Sequence, residues 1–293
     1  MDAIRLLRLL CAVAVMSALA APMPGAHAAT ETATAQRPRI GVVLSGGGAR
    51  GAAHIGVLRV LEQMRIPIDC IAGTSMGSLV GGTYAAGVSL DEMEAVLGAI
   101  DWDEVFTDDP KRTDKPYRQR RDDFTSLWKL ELGIKRGNVR LPYGATAGYK
   151  FELLLREMLG SAGDGRRIQF SALPIPFRTV GTDLESGSAH VFSEGDLAKA
   201  MRASMSVPGL IAPEEIGGRL YVDGGLVRNL PIDVARETCA DVVIAVNLGT
   251  PLLPREELTS VLAVASQSIN LLTEINVKQS LASLGPGDVL IEP

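Results

Sequence analysis

Residues 66–77 read Ile66-Pro67-Ile68-Asp69-Cys70-Ile71-Ala72-Gly73-Thr74-Ser75-Met76-Gly77. A short apolar run ends in a Gly-Xaa-Ser-Xaa-Gly turn and enters a segment, 75–86, dominated by small residues. A strand, a sharp glycine turn and a helix in that order lift a serine out of a sheet. Gly77, Gly81, Gly82, Ala85 and Ala86 let the predicted helix lie close on that sheet, and Gly87 supplies its stop.

The pattern repeats on both sides of this stretch. Residues 40–44 are a buried strand, followed by the glycine turn Ser45-Gly46-Gly47-Gly48-Ala49-Arg50-Gly51. A helix over 52–64 carries Ile55, Leu58 and Leu61 on one face, widened by Val57 and Val60. Ser89 with Glu92 forms a capping box ahead of a helix at 90–100. Further helices are predicted at 148–160, 197–204, 232–238 and 260–283. Strands are predicted at 177–182, 189–192, 219–222, 242–247 and 288–292. Strands that are apolar on both faces and alternate with helices give an α/β class, a three-layer α/β/α fold around a mostly parallel central sheet.

The N-terminus reads differently. Arg5 and Arg8 precede an apolar stretch over 9–21, and Ala26-His27-Ala28 offers small residues for cleavage. This is the pattern of a secretory signal peptide at 1–28, with an uncleaved anchor as the alternative. Residues 29–38 form a polar linker, and 39–293 the main domain. The chain stops just after a predicted strand, so we expect this domain to be cut short at its C-terminal end. The expected location is exported: periplasm, outer membrane or secreted. A formal net charge of −5 over 293 residues gives no basis for nucleic-acid binding. Beyond the leader only Cys70 and Cys239 remain. Both are expected as buried free thiols, with a Cys70–Cys239 bridge as the alternative. Two cysteines without clustered histidines do not make a zinc site.

Three segments carry chemistry. Ser75, between Gly73 and Gly77, is a candidate nucleophile at the start of a helix. The Gly46–Gly48 loop, with Arg50 and Gly51, can aim backbone N–H groups at a developing oxyanion. Gly46, Gly48 and Gly51 also fit a dinucleotide fingerprint, which demands an acidic residue at the end of the second strand. That strand ends instead in the Ser75 turn, with Asp69 well before it. Asp223, followed by Gly224 and Gly225, stands at a strand end where α/β crevices form. The chain has three histidines, His27, His54 and His190, and none follows Asp223. The usual Ser, acid, His order is therefore missing. His54 and His190 read as packing residues. A Ser75–Asp223 dyad is the economical alternative, provided burial raises the basicity of the carboxylate.

These three motifs, in this order and spacing, resemble the patatin-like phospholipase family. The likeness extends through residues 53–58, Gly181-Thr182-Asp183-Leu184, Arg202-Ala203-Ser204 with Pro208, and Asn229-Leu230-Pro231. The resemblance implies Ser75 as nucleophile, Asp223 as its proton acceptor, and Gly46, Gly47, Gly48 and Arg50 as the oxyanion hole. It implies hydrolysis of lipid or phospholipid acyl esters at a membrane surface, with no cofactor. The leader makes the chain similar to exported members whose catalytic domain precedes an outer-membrane barrel. Lys111, Arg112, Lys115, Arg118, Arg120 and Arg121 can meet anionic headgroups or form a solvated loop. Trp102, Phe106, Phe124 and Trp128 line an acyl pocket or pack a core. Asp183 reads as a turn residue, and Asn229 as either a brace for the Asp223 loop or a local cap.

Overall fold

The computed structural model describes residues 37–105, 117, 133–135, 138–140, 144–249 and 251–293. The leader, most of the linker, the basic stretch 111–121, Phe106, Phe124 and Trp128 lie outside the described residues.

The first strand, β1 (Ile40–Leu44), runs into a 3-10 turn (Gly48–Ala52) and helix α1 (Ala53–Gln63). Strand β2 (Cys70–Thr74) then leads through Ser75 into α2 (Met76–Ala85). Gly87, at φ +96°, ends that helix in a conformation glycine adopts without strain. Ser89 caps α3 (Leu90–Ala99), its hydroxyl accepting the Glu92 N–H at 3.2 Å. Next come α4 (Tyr149–Leu159), β3 (Phe177–Asp183), β4 (Ala189–Phe192) and α5 (Leu197–Ser204). The chain continues through β5 (Glu214–Ile216), β6 (Arg219–Asp223), α6 (Gly225–Arg228) and α7 (Ile232–Thr238). It closes with β7 (Val242–Val246), the long α8 (Val261–Leu281) and β8 (Val289–Ile291).

Eight strands form one sheet in the order β5-β6-β3-β2-β1-β7-β8, with β4 beside β3. The run β3-β2-β1-β7-β8 is parallel, while β4, β5 and β6 join antiparallel. Successive strand side chains point to opposite faces, so two cores result. Val42, Leu44 and Ile71 pack with α2 and α5 through Leu79, Val80 and Met201 on one face. Val43, Ala72, Val180 and Val243 pack with Leu230, Ile232 and Val234 on the other. The α/β/α architecture expected from the sequence is present. No helix among the described residues is long and apolar enough to cross a membrane.

The register of β3 positions the site. Residues 177–180 pair with β2, ending at Thr74 opposite Val180. Residues 181–183 pair with β6, ending at Asp223 opposite Gly181. Strand β4 covers 179–182 and overlaps both partners, so it occupies the other edge. Strands β2 and β6 therefore approach from opposite directions along one edge of β3. Their C-terminal ends meet, bringing Ser75 and Asp223 to the same point.

One expectation is corrected. Cys70 and Cys239 form a disulfide, with Cα atoms 6.1 Å apart, inside the usual range of about 4.4–6.8 Å. Cys70 is buried as expected, at 0% exposure. Helix α7 lies against β1, β2 and β7, which carries the cysteine after its last residue to the start of β2. The bond spans a sequence separation of 169, so it restricts a large loop of the unfolded chain. Reducing it, or making Cys70→Ala, is expected to cost about 2–5 kcal/mol of stability. Urea unfolding with and without reductant measures this, and an unchanged midpoint would show that the bond adds nothing.

Candidate active site

Ser75 sits at φ 53°, ψ −124°, a strained conformation for a residue with a side chain. Its neighbours explain how it is held. A Cβ on Gly73 would strike the Gly77 carbonyl, and one on Gly77 would strike the Leu44 carbonyl. The first turn of α2 therefore rests on strand backbone, which only glycine at both positions permits. Ser75 N–H donates to Ser204 Oγ at 3.0 Å, and that hydroxyl donates to Val180 O at 2.6 Å. Ser204, at the end of α5, thus ties the strained turn to β3. The sequence offers it only as part of Arg202-Ala203-Ser204, with no role attached.

Asp223 closes β6 and is 7% exposed; Ser75 is 8% exposed. The Asp223 carboxylate lies close enough to the Ser75 side chain to feel its hydroxyl, and it accepts the Gly225 N–H at 2.7 Å. Burial pushes its pKa up to about 6, against the opposing pull of the Ser75 hydroxyl and the Gly225 N–H. Its backbone is fixed on both sides: Asp223 N–H donates to Ser206 O at 2.9 Å, and Thr182 Oγ1 donates to Asp223 O at 2.8 Å.

The glycine loop lies beside this pair, but its members differ. Gly46 N–H is already engaged, by Asn229 Oδ1 at 3.1 Å and Asn229 O at 3.3 Å. Asn229, at the C-cap of α6, therefore braces Gly46 and is itself held by Asn276 Oδ1 at 2.8 Å. The Arg50 guanidinium donates to Leu248 O (3.1 Å) and Gly249 O (2.9 Å), anchoring the turn to the segment after β7. Gly46 and Arg50 thus act as supports. The N–H groups of Gly47 and Gly48 have no partner among the described residues, and both glycines border the polar pocket that holds Ser75 and Asp223.

The remaining histidines serve elsewhere. His54 is fully buried, and its Nε2–H donates to Ser45 O at 2.8 Å. Its Nδ1 has no hydrogen-bond partner among the described residues. Burial lowers its pKa to about 4, so it is neutral near pH 7. His190 lies across β3 from Asp223, packed on Phe192 and Tyr221 at 4.6 and 5.0 Å. Asp69 precedes β2 and accepts the Ile40 N–H at 2.7 Å, at the sheet end away from the glycine loop. The acidic ribose ligand of a dinucleotide site is missing there. Asp183 accepts the N–H groups of Glu185 (2.9 Å) and Ser186 (3.3 Å) in a turn and pairs with Arg219.

Two cavities meet at Ser75. One is apolar, about 750 Å³, running from Gly48 and Met76 toward Trp102 and Ile211. The other, about 260 Å³, is more polar and is lined in part by Gly47, Asp223, Asn229 and Asn270.

A family model described as patatin-like phospholipase matches residues 42–236, spanning the glycine loop, Ser75 and Asp223. This chain belongs to the patatin-like phospholipase family. An uncharacterized NTE family protein of Mycobacterium tuberculosis is 36% identical over 224 residues, covering 76% of this chain and 53% of that protein. Patatin-like phospholipase domain-containing protein 6 of Homo sapiens is 33% identical over 213 residues, covering 72% of this chain and 13% of that protein. The match thus spans about half of the mycobacterial relative and a small part of the human one. Among solved structures, VipD from Legionella pneumophila aligns with a TM-score of 0.46 at 16% identity, covering 75% of this chain and 52% of that one.

This patatin-like phospholipase domain buries two titratable groups with opposite consequences. His54 has a folded pKa below its unfolded value of 6.5. Its contribution is complete above about pH 6.5 and is lost as pH falls through about 4. Asp223 has a folded pKa raised from 3.8 to about 6. Its contribution is complete below about pH 3.8 and is lost as pH rises through about 6. Each amounts to on the order of 3 kcal/mol, so the two offset one another across pH 4–6.5. Asp223→Asn is expected to expose the His54 dependence, with stability falling steeply on acidification. His54→Gln is expected to do the reverse. Urea midpoints measured from pH 4 to 7 check both, and equal slopes in the two variants would refute the assignment.

Proposed function

We propose that this chain hydrolyses carboxylic esters of lipids, of the phospholipase A or lysophospholipase type, through a Ser75–Asp223 dyad. The observation that carries this reading is Ser75 beside the buried Asp223 carboxylate, at the point where an apolar and a more polar cavity meet. Asp223 accepts the Ser75 proton as Oγ attacks the ester carbonyl. The Gly47 and Gly48 N–H groups receive the oxyanion, and the Met76 N–H at the start of α2 is a further donor. Asp223 then gives its proton to the departing alkoxide, leaving an acyl-enzyme on Ser75. Water enters from the polar pocket, loses a proton to Asp223 and releases the carboxylic acid, and that proton returns to Ser75. An ordinary carboxylate is a weak base for this task. A pKa near 6 leaves Asp223 ionised at neutral pH yet more basic than an exposed aspartate.

A fluorophosphonate probe is expected to label the wild-type protein at Ser75 and to leave Ser75→Ala unlabelled. Asp223→Asn is expected to lower kcat/KM by about 1,000-fold or more, since it removes the base beside the nucleophile. The wild-type kcat/KM should rise with pH through about 6, where the carboxylate ionises. Full labelling of Asp223→Asn at the wild-type rate would sink the dyad.

Two features support the expected setting. The Cys70–Cys239 disulfide suits export to an oxidising compartment. Leu271, Leu272 and Ile275 of α8 are 46%, 50% and 57% exposed, and the same helix contributes Asn270 and Thr273 to the polar pocket. We therefore place the lipid surface against α8. Leu272→Ser with Ile275→Ser is expected to reduce co-sedimentation with phosphatidylcholine vesicles several-fold, from the loss of buried apolar area. Unchanged co-sedimentation would move the contact elsewhere.

A further inference from the structure

The glycines of the helices fall into two kinds. At Gly81 and Gly82 of α2, an added Cβ would lie 2.9 Å from Ile71 Cγ2 and 2.8 Å from Met201 Sδ. Protein packing accounts for those glycines. At Gly56 of α1 and Gly98 of α3, an added Cβ would find no atom of the described residues beyond its own helix backbone within 4 Å. Glycine weakens a helix relative to alanine, and among the described residues neither position has a neighbour that calls for it. Both positions face the apolar cavity that begins at Ser75.

The cavity has a direction. Ala52, Gly56 and Arg59 lie three or four residues apart and line it together, so they follow one face of α1. Ala52 adjoins the glycine turn, and Arg59 lies about 10 Å further along the helix axis. On the facing helix, Glu94 and Gly98 share a face in the same way. Arg59 pairs with Glu94 at 2.8 Å and with Asp91 at 2.7 Å, bolting α1 to α3. The two charged residues that line the cavity are thus paired with each other at its far end. What remains between them and Ser75 is apolar wall. That surface suits an uncharged methylene chain.

We infer that the cleft between α1 and α3 is an acyl-chain slot whose bore is set by Gly56 and Gly98, and that these glycines select long-chain esters. The inference rests on the ester-hydrolase reading of Ser75. The carbonyl carbon is held at Ser75, the alcohol lies toward Asp223, and the chain runs along α1 toward the Arg59–Glu94 pair. A side chain at either glycine fills the slot partway along and truncates the acyl group that fits.

The test compares kcat/KM for p-nitrophenyl butyrate, octanoate and palmitate in the wild type, Gly56→Leu and Gly98→Leu. The wild type should gain about fourfold per methylene accommodated. In each leucine variant the palmitate-to-butyrate ratio should fall by about 100-fold or more. Gly56→Ala, a smaller intrusion, should shift the ratio in the same direction by less. Binding of the fluorescent fatty acid cis-parinarate to the Ser75→Ala protein, with and without Gly56→Leu, reads the slot without turnover. Parinarate binding that Gly56→Leu abolishes, in a protein that hydrolyses none of the esters, would uphold the slot and overturn the hydrolase reading. A palmitate-to-butyrate ratio unchanged in both leucine variants, or parinarate binding unchanged by Gly56→Leu, would overturn the slot.

Discussion

The site depends on two strands ending nose to nose. Along one edge of β3, β2 runs parallel as far as Val180 and β6 runs antiparallel from Gly181 onward. Each strand stops where the other begins. The residue that follows β2 and the residue that closes β6 therefore face each other without any loop having to carry them there. Backbone pairing with β3 sets their separation, which is why a serine and an aspartate far apart in sequence come to lie side by side.

Such a junction is costly to build. Ser75 takes a strained backbone conformation, and Asp223 is a carboxylate with little access to water. Both costs are offset locally. Ser204 holds the amide of Ser75 and is itself anchored on β3, while Gly225 N–H solvates the Asp223 carboxylate. Behind them, Asn276 Nδ2 and Thr273 Oγ1 of α8 donate to Gly225 O at 2.9 and 3.0 Å. Asn276 also holds Asn229, which in turn holds Gly46. One polar chain thus connects the last long helix to both the Asp223 turn and the glycine loop. The carboxylate is left buried, with its pKa raised, yet still hydrogen-bonded to Gly225 N–H.

Much of this was legible beforehand. Strands β1 and β4 and helices α5 and α7 lie where the apolar pattern puts them, because burial on fixed faces is a local property of the residues. The second strand begins later than its apolar run suggests. Ile66 and Ile68 pack on the core without joining the sheet, since β3 pairs only from Ile71 onward. The short strand β5 escapes notice because Glu214-Glu215-Ile216 has no apolar alternation and owes its conformation to pairing with β6. The cysteine pairing escapes too, since each cysteine suits burial on its own and only the placement of α7 brings them together.

By itself the sequence determined the α/β class, the serine on its glycine turn, the aspartate with two glycines after it, and the want of a histidine to follow. Those are properties of residue type and spacing along the chain. Which loop amides stay free, which polar side chains spend themselves as braces, and how an apolar and a polar cavity divide at Ser75 were decided by the tertiary structure alone. The physical reason is that an N–H already bonded inside the protein is not available to a ligand, and such bonding depends on contacts between residues far apart in sequence. Gly46 and Gly47 are indistinguishable as letters, and only the position of Asn229 in space makes one a support and leaves the other available.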